Sequence, residues 1–417
     1  MAEQLTTGAA HWRRVRRLLN ERRPELAAMA ARLYPDLPRV AGTDLLCWPG
    51  WLPAAPLDLN EVPLAWASVP PPPVADGTGA AAAHVLPQLA GGQAYPTYAA
   101  AIGALDRPAL FENRVCYRLL DAELAGVPGL RFGTARYFDA VNLGHAVAHE
   151  LTAAWAASGT APDGPAPDGP APDAPALNGP ALDGPALDWP ALDWGVLPLR
   201  ASVGDPCALP RRCALTAVTT LTLRRAPGGA ASFLLHWRDP ARVNHAGGVY
   251  QVMPAGIFQP VTAVPAAQWH DLSLWRCITR EFSEELLGGS EEYPTPGGRL
   301  DYGQWPFHRA LAAARDAGTL RVSCLGLGVD PLTLATDILT VAVFDAPVFD
   351  RMFHDLVTEN SEGRVVTQDG SAAIPFTRAS VDHFTGGGVP LQTAGAALLR
   401  LAWQHRDLLG VQEPQKG

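Results

Sequence analysis

Apolar positions recur at helical spacing in the first half of the chain and alternate like strands in the second. From Ala9 to Tyr34, apolar residues return every three to four positions with arginines between them, which predicts helix. Pro24 would divide this stretch into two helices, because proline breaks a helix interior. The other predicted first-half elements are helices at Tyr95–Leu105, Glu112–Leu124 and Leu143–Ala156, and a strand at Leu130–Phe138. We therefore expect a mostly helical N-terminal region.

The second half contains more strand-like segments. Ala214–Arg224 (ALTAVTTLTLR) has the β-branched alternation of a strand. Leu272–Leu287 has helical periodicity, with Asp271 or Ser273 as the N-cap and Gly288 as the stop. The other predicted elements are strands at Ala231–Trp237, Gly247–Met253, Leu320–Gly328 and Thr336–Phe344, and helices at Trp305–Ala317 and Ala394–His405. Because helices and strands interleave, these patterns predict an α/β (α+β) fold.

A five-residue repeat separates the two halves. Residues 161–195 read APDGP, APDGP, APDAP, ALNGP, ALDGP, ALDWP and ALDWG. Regular prolines exclude a helix interior and remove the donors that a sheet needs. A solenoid of such short repeats would bury too little surface to be stable. We therefore predict an N-terminal region at 1–157, a disordered linker at 158–195 and a C-terminal domain at 196–417.

Most of the net negative charge of the chain lies in the repeat. The whole chain has 32 basic and 41 acidic residues, a formal net charge of −9. Six aspartates lie in the repeat with no basic residue beside them, which leaves the remainder at −3. The acidity of the chain is therefore only a weak argument against a nucleic-acid partner.

Composition also bears on the compartment. No apolar run is long enough to span a bilayer, and the N-terminus has no apolar signal-peptide core. The six cysteines are scattered and form no Cys-x-x-Cys pair. We therefore predict a cytoplasmic protein with reduced thiols and no membrane partner.

Candidate chemistry is concentrated in the segment Arg280-Glu281-Phe282-Ser283-Glu284-Glu285. On a helix, glutamates at i, i+3 and i+4 share one face, and a divalent cation with oxygen ligands would neutralise them. Arg280 could supply part of the compensation as an ion pair. The alternative is an ordinary solvated helix with a cluster of glutamates.

This segment resembles the Nudix box. It matches the part of that box with the pattern R-E-U-x-E-E, where U is a bulky apolar residue. The upstream stretch 247–256 (GGVYQVMPAG) resembles the strand and turn before that box. The resemblance implies an α/β/α sandwich and Mg²⁺- or Mn²⁺-dependent hydrolysis of a nucleoside diphosphate derivative or related phosphoanhydride. It implies that Glu281, Glu284 and Glu285 hold the metal, with Glu284 and Glu285 catalytic and Arg280 as their structural ion pair.

The segment also departs from the Nudix pattern. The first Gly and first Glu of the family box fall on Ala266 and Leu272, and the closing glycine is one place late at Gly288. A second hypothesis is therefore a non-catalytic Nudix-like domain that senses a nucleotide-like molecule in a transcriptional regulator. Tyr95–Leu105 and Met253–Val261 resemble segments of long actinobacterial proteins labelled as such regulators. A third is a protein-interaction module whose acidic helix has no ligand.

Two other groups could contact a substrate or a metal. Asn244, His245 and Gly256 surround the presumed box strand and are the predicted substrate-binding residues, with a plain turn as the alternative. In GHAVAHEL, His145 and His149 stand one helical turn apart beside Glu150. That spacing can hold Zn²⁺, although two ordinary helix histidines are the favoured interpretation.

The N-terminal arginines could bind a DNA or protein partner. The first 40 residues hold eight arginines and four acidic residues, a net charge of +4. The pattern lacks a clear helix-turn-helix, so a solvated amphipathic helix is the favoured interpretation. The arginines concerned are Arg13, Arg14, Arg16, Arg17, Arg22 and Arg23.

Overall fold

The computed structural model describes most of the chain outside the repeat. The described residues are 2–89, 92–158, 194–238, 248–290, 293, 298–357, 363–365, 373–387 and 389–413. The predicted linker therefore lies almost wholly outside the described residues, and so do Asn244 and His245.

Helices occur in both halves of the described part of the chain. Arg22 separates the first two, and Pro24 lies in the first turn of the second helix, where its missing N–H costs nothing. The α-helices are α1 Ala2–Glu21, α2 Arg23–Arg32, α3 Gly79–Ala82, α4 Tyr98–Leu105, α5 Tyr137–Ala157, α6 Pro198–Val203, α7 Pro265–His270, α8 Leu274–Glu281, α9 Pro306–Asp316, α10 Ala346–Met352, α11 Arg378–Thr385, α12 Thr393–Gln404 and α13 Arg406–Leu409. The predicted division at Pro24 is confirmed.

The strands occur in both halves as well. They are β1 Leu57–Asp58, β2 Leu64–Trp66, β3 Val115–Glu123, β4 Gly129–Arg136, β5 Thr216–Arg225, β6 Ala231–Phe233, β7 Leu235–Arg238, β8 Tyr250–Val252, β9 Ala255–Ile257, β10 Leu320–Val329, β11 Thr336–Asp345, β12 Gly363–Val365 and β13 Ile374–Pro375. The predicted α/β class is confirmed.

The helix predicted over Glu112–Leu124 is wrong, because this segment forms β3. β3 pairs antiparallel with β4 from Val115↔Arg136 to Glu123↔Gly129, with one irregularity after Leu119. Cys116, Tyr117 and Leu119 are fully buried. A short apolar run buried on both faces has no period that distinguishes a strand from a helix.

The central sheet has the order β1-β10-β11-β5-β6-β13, and β9 also pairs with β5. β11 and β5 are parallel, while the other pairs are antiparallel. β6 and β9 pair with the two ends of the same edge of β5. The short β9 therefore lies at the start of β5, where it meets α8.

Helices cover both faces of this sheet. Leu223 of β5 pairs with Phe233, and the next residue of β5, Arg224, pairs with Phe344. Because successive side chains of a strand point to opposite faces of the sheet, Phe233 and Phe344 lie on opposite faces. Phe344 packs on Phe282, which directly follows α8, with ring centroids 5.5 Å apart. Phe233 packs on Phe384 of α11 at 5.8 Å. The second half thus forms an α/β/α sandwich.

The two halves share one core. β1 from the first half pairs with β10 of the central sheet, and residues such as Val40, Trp51 and Phe132 belong to the same buried cluster as the strands of the second half. Burial of this shared apolar surface stabilises the two halves together. The predicted domain boundaries stay a prediction. No helix among the described residues combines the length and apolar character needed to cross a membrane.

Candidate functional site

The predicted box segment forms α8 followed by one π-helical turn, Phe282–Leu286. Ser273, one of the two predicted N-caps, accepts a hydrogen bond from the backbone N–H of Arg276. Cys277 and Ile278 face the core and are fully buried. The left-handed φ of +66° at Gly288 agrees with the predicted stop there.

The buried Arg280 holds the loop before the helix. Its guanidinium donates to the carbonyl oxygen of Gln259 at 2.6 Å and to the hydroxyl of Tyr302. It also lies 3.9 Å from Asp271, which accepts from the Tyr302 hydroxyl at 2.9 Å. Asp271 was predicted only as an alternative N-cap, so sequence reasoning missed this buried network. The one sequence signal for this network was an acidic residue, Asp271, directly before the predicted helix.

The three glutamates of the box segment contact different groups. Glu285 accepts from the backbone N–H of Ala255 at 3.0 Å. Glu281 lies directly on the α-carbon of Gly256, since a Cβ added there would be 1.9 Å from the Glu281 carboxyl carbon. Glu284 accepts from the Tyr293 hydroxyl at 2.7 Å. Two carboxylates therefore meet the backbone of β9, and the third is engaged by Tyr293.

The π turn accounts for this arrangement. A π turn adds a residue to the helical repeat, so side chains that would share one face of an α-helix are rotated relative to one another. Burial raises the pKa of Tyr293, and its neighbour Glu284 raises it further. Tyr293 therefore keeps its proton and remains a hydrogen-bond donor to that carboxylate.

The predicted Mg²⁺ or Mn²⁺ sets a requirement on the geometry of its ligands. Hard cations need several oxygen ligands converging on one point. Within the described residues, no group of three or more His, Cys, Asp or Glu side chains is placed to hold a metal ion. In this part of the structure, the three glutamates thus do not form the set that the resemblance implies.

The histidine segment lies in the interior of α5. His149 and the hydroxyl of Tyr98 share a hydrogen bond of 3.0 Å. Burial, together with nearby Arg16, lowers the pKa of both His145 and His149 to about 3, so both are neutral at physiological pH. The buried Glu150 accepts from the first-turn N–H groups of α6, at Leu199 and Arg200.

The N-terminal arginines divide into two groups and Arg22, which is partly exposed and pairs with Glu25 at 3.2 Å. Arg13, Arg14 and Arg17 are exposed on α1. Arg16 and Arg23 are buried, and Arg16 pairs with Asp106 at 2.7 Å. Only the first group has the exposure that a partner would require.

Comparisons with known proteins give no match in sequence and a weak match in structure. No protein-family model matches the chain, and no curated protein matches it. One similar solved structure is the Nudix hydrolase RenU from M. smegmatis, with 16% sequence identity and a TM-score of 0.24. The matched region covers 47% of this chain and 89% of that one.

Proposed function

We propose that this chain is a Nudix-like protein that binds a small, nucleotide-like molecule without hydrolysing it. The observation that supports this proposal most is the engagement of the signature carboxylates by the protein itself. Glu285 is committed to the backbone of β9, and Glu284 to Tyr293. Each of these hydrogen bonds takes up part of the accepting capacity of the carboxylate and fixes its orientation, which leaves less of it for a metal or a water molecule.

A second candidate is the Mg²⁺-dependent hydrolase of a nucleoside diphosphate derivative or related phosphoanhydride. It is favoured by the convergence of Glu281 and Glu285 on Ala255 and Gly256. In that case Glu281, Glu284 and Glu285 would be the metal ligands, and Arg280 would brace the helix. We derive no catalytic step from this arrangement, because no group of three or more described His, Cys, Asp or Glu side chains is placed to hold a metal ion.

Glu285→Gln separates these candidates. We expect no metal-dependent phosphate release from a panel of nucleoside diphosphate derivatives, by either the native chain or the variant, while at least one nucleotide raises the melting temperature of both. Losing the charge-assisted bond to Ala255 should cost about 1 kcal/mol of stability. Glu21→Gln, at an exposed position of α1, is the control and should change neither property. Mg²⁺-dependent turnover that Glu285→Gln abolishes would establish the hydrolase instead.

We further propose that the exposed arginines of α1 contact a DNA or protein partner. Arg13, Arg14 and Arg17 lie within five residues of one another on one helix. Changing all three to glutamine should weaken binding to an anionic partner at least tenfold and flatten its salt dependence. The probe is a mixed-sequence DNA duplex in a filter or anisotropy assay over a range of salt. Equal binding by the native chain and the variant would exclude this surface.

A further inference from the structure

A cavity of about 270 Å³ lies between α5 and the central sheet. Its floor includes Ala217 and Thr219 of β5 and Asp337 of β11. Thr219 is an even number of positions from Leu223, so both point to the face that α11 covers, opposite α8. The floor of the cavity therefore lies on the face opposite α8, and the cavity adjoins the cluster of glutamates through β9, whose Ala255 and Gly256 also line it.

Both halves of the chain build this cavity. Val141, Gly144 and His145 of α5 form its roof. Its mouth is the segment before β3, where Leu110 is 50% exposed. Its volume is near the lower end of the range for small-molecule sites, roughly 300–1,000 Å³.

Two buried side chains with acceptor oxygens line this space. Gln251 of β8 lines the cavity and is 4% exposed, and its Oε1 has no hydrogen-bond partner among the described residues. Asp337 is 3% exposed, and one of its oxygens accepts from the hydroxyl of Thr219 at 2.7 Å. A buried acceptor without a donor is costly. A ligand with N–H groups would supply the donor that Gln251 lacks and a further donor to Asp337.

The cavity lining carries three arginines and two acidic residues, a formal net charge of +1; they are Arg114, Arg212, Arg238, Glu112 and Asp337. At the mouth, Arg114 pairs with Glu112 at 2.8 Å. Deeper, the buried Arg212 already donates to the carbonyl oxygen of Pro206 and to the hydroxyl of Thr336. These contacts engage Arg114 and Arg212 within the protein, while the aromatic rings of Phe111 and Tyr137 line the same space.

We infer that this cavity binds a neutral, flat nitrogen heterocycle of nucleobase or nucleoside size, whose N–H edge donates to Gln251 and Asp337. The inference deepens the proposed function and rests on it, because it places the small molecule on the face of the sheet opposite α8. The aromatic and aliphatic walls would cover the faces of the ring, and the polar groups would set its orientation.

Two variants test the site in the full-length chain. Gln251→Met keeps the side-chain length and removes the unpartnered oxygen. Ala140→Leu, on the cavity-lining face of α5, fills part of the space. Ala157→Leu is the matched control, since Ala157 lies at the exposed end of the same helix. Calorimetry with adenine, guanine, adenosine and guanosine measures binding, and circular dichroism verifies the fold.

We expect at least one of these probes to bind the native chain and the Ala157→Leu control equally. Gln251→Met and Ala140→Leu should each weaken that binding at least tenfold. Unchanged affinity in both cavity variants, or no binding by any of the four probes, would overturn the inference. Binding of a nucleoside diphosphate that Glu281→Gln abolishes and Ala140→Leu spares would also overturn it, yet would leave the proposed function standing.

Discussion

Replacing Asp337 by asparagine should stabilise the protein at pH 8 by about 2–4 kcal/mol. Burial raises the pKa of Asp337 from 3.8 to about 7, and nearby Asp330 adds to the effect. The hydrogen bond from Thr219 opposes the shift without cancelling it. Each pH unit of difference corresponds to about 1.4 kcal/mol. Asparagine keeps an acceptor for Thr219 and cannot ionise, so it avoids this cost.

The sign of the pH dependence follows from proton linkage. Between about pH 4 and pH 7, the folded chain holds a proton on Asp337 that the unfolded chain has released, so this group makes the native protein less stable as pH rises through that window. Above pH 7 the full cost is present, and near pH 4 it vanishes. Other titratable or charged groups lining the same cavity are Glu112, Arg114, Tyr137, His145, Arg212, Cys213 and Arg238.

Urea unfolding of both proteins between pH 4 and pH 8 measures this difference. The two stabilities should converge at pH 4 and separate steadily towards pH 7. Asp355→Asn is the control, because the side chain of Asp355 is 81% exposed and exposed substitutions usually change stability by less than about 0.5 kcal/mol. A variant less stable than the native chain at pH 8 would mean that Asp337 is ionised and paired.

The central sheet could be predicted because its strands carry a local signal. The β-branched alternation of Ala214–Arg224 corresponds to β5, which runs over Thr216–Arg225, and the apolar run Thr336–Phe344 corresponds to β11. Their parallel pairing joins residues more than 100 positions apart. Periodicity reports which segments can form strands but says nothing of such partners.

The site was harder to predict because its geometry depends on departures from regular helix. Spacing placed Glu281, Glu284 and Glu285 on one α-helical face, but the π turn changes that spacing. Asp337 was visible as an acidic residue inside an apolar strand run. Its role depends on Thr219 and on a roof supplied by α5, and both are distant in sequence.

Replacing Gly144 by alanine should destabilise the protein by about 2–3 kcal/mol. A Cβ at this position in α5 would lie 2.3 Å from the backbone carbonyl oxygen of Thr333. The turn that carries this carbonyl cannot easily yield, because Asp330 accepts from the N–H groups of Leu332 and Thr333, each at 2.8 Å. Overpacking of this kind usually costs about 1–3 kcal/mol.

A glycine-to-alanine substitution in α1 should stabilise the protein instead. A Cβ at Gly8 has nothing within 4 Å, so Gly8→Ala should gain up to about 1 kcal/mol from helix propensity alone. Urea unfolding of both variants at pH 7 measures the contrast. If Gly144→Ala matched or exceeded the native stability, the close approach of α5 to the 330–335 turn would be refuted. Because that turn also walls the cavity, Gly144→Ala should weaken heterocycle binding together with stability, whereas Gly8→Ala should leave it unchanged.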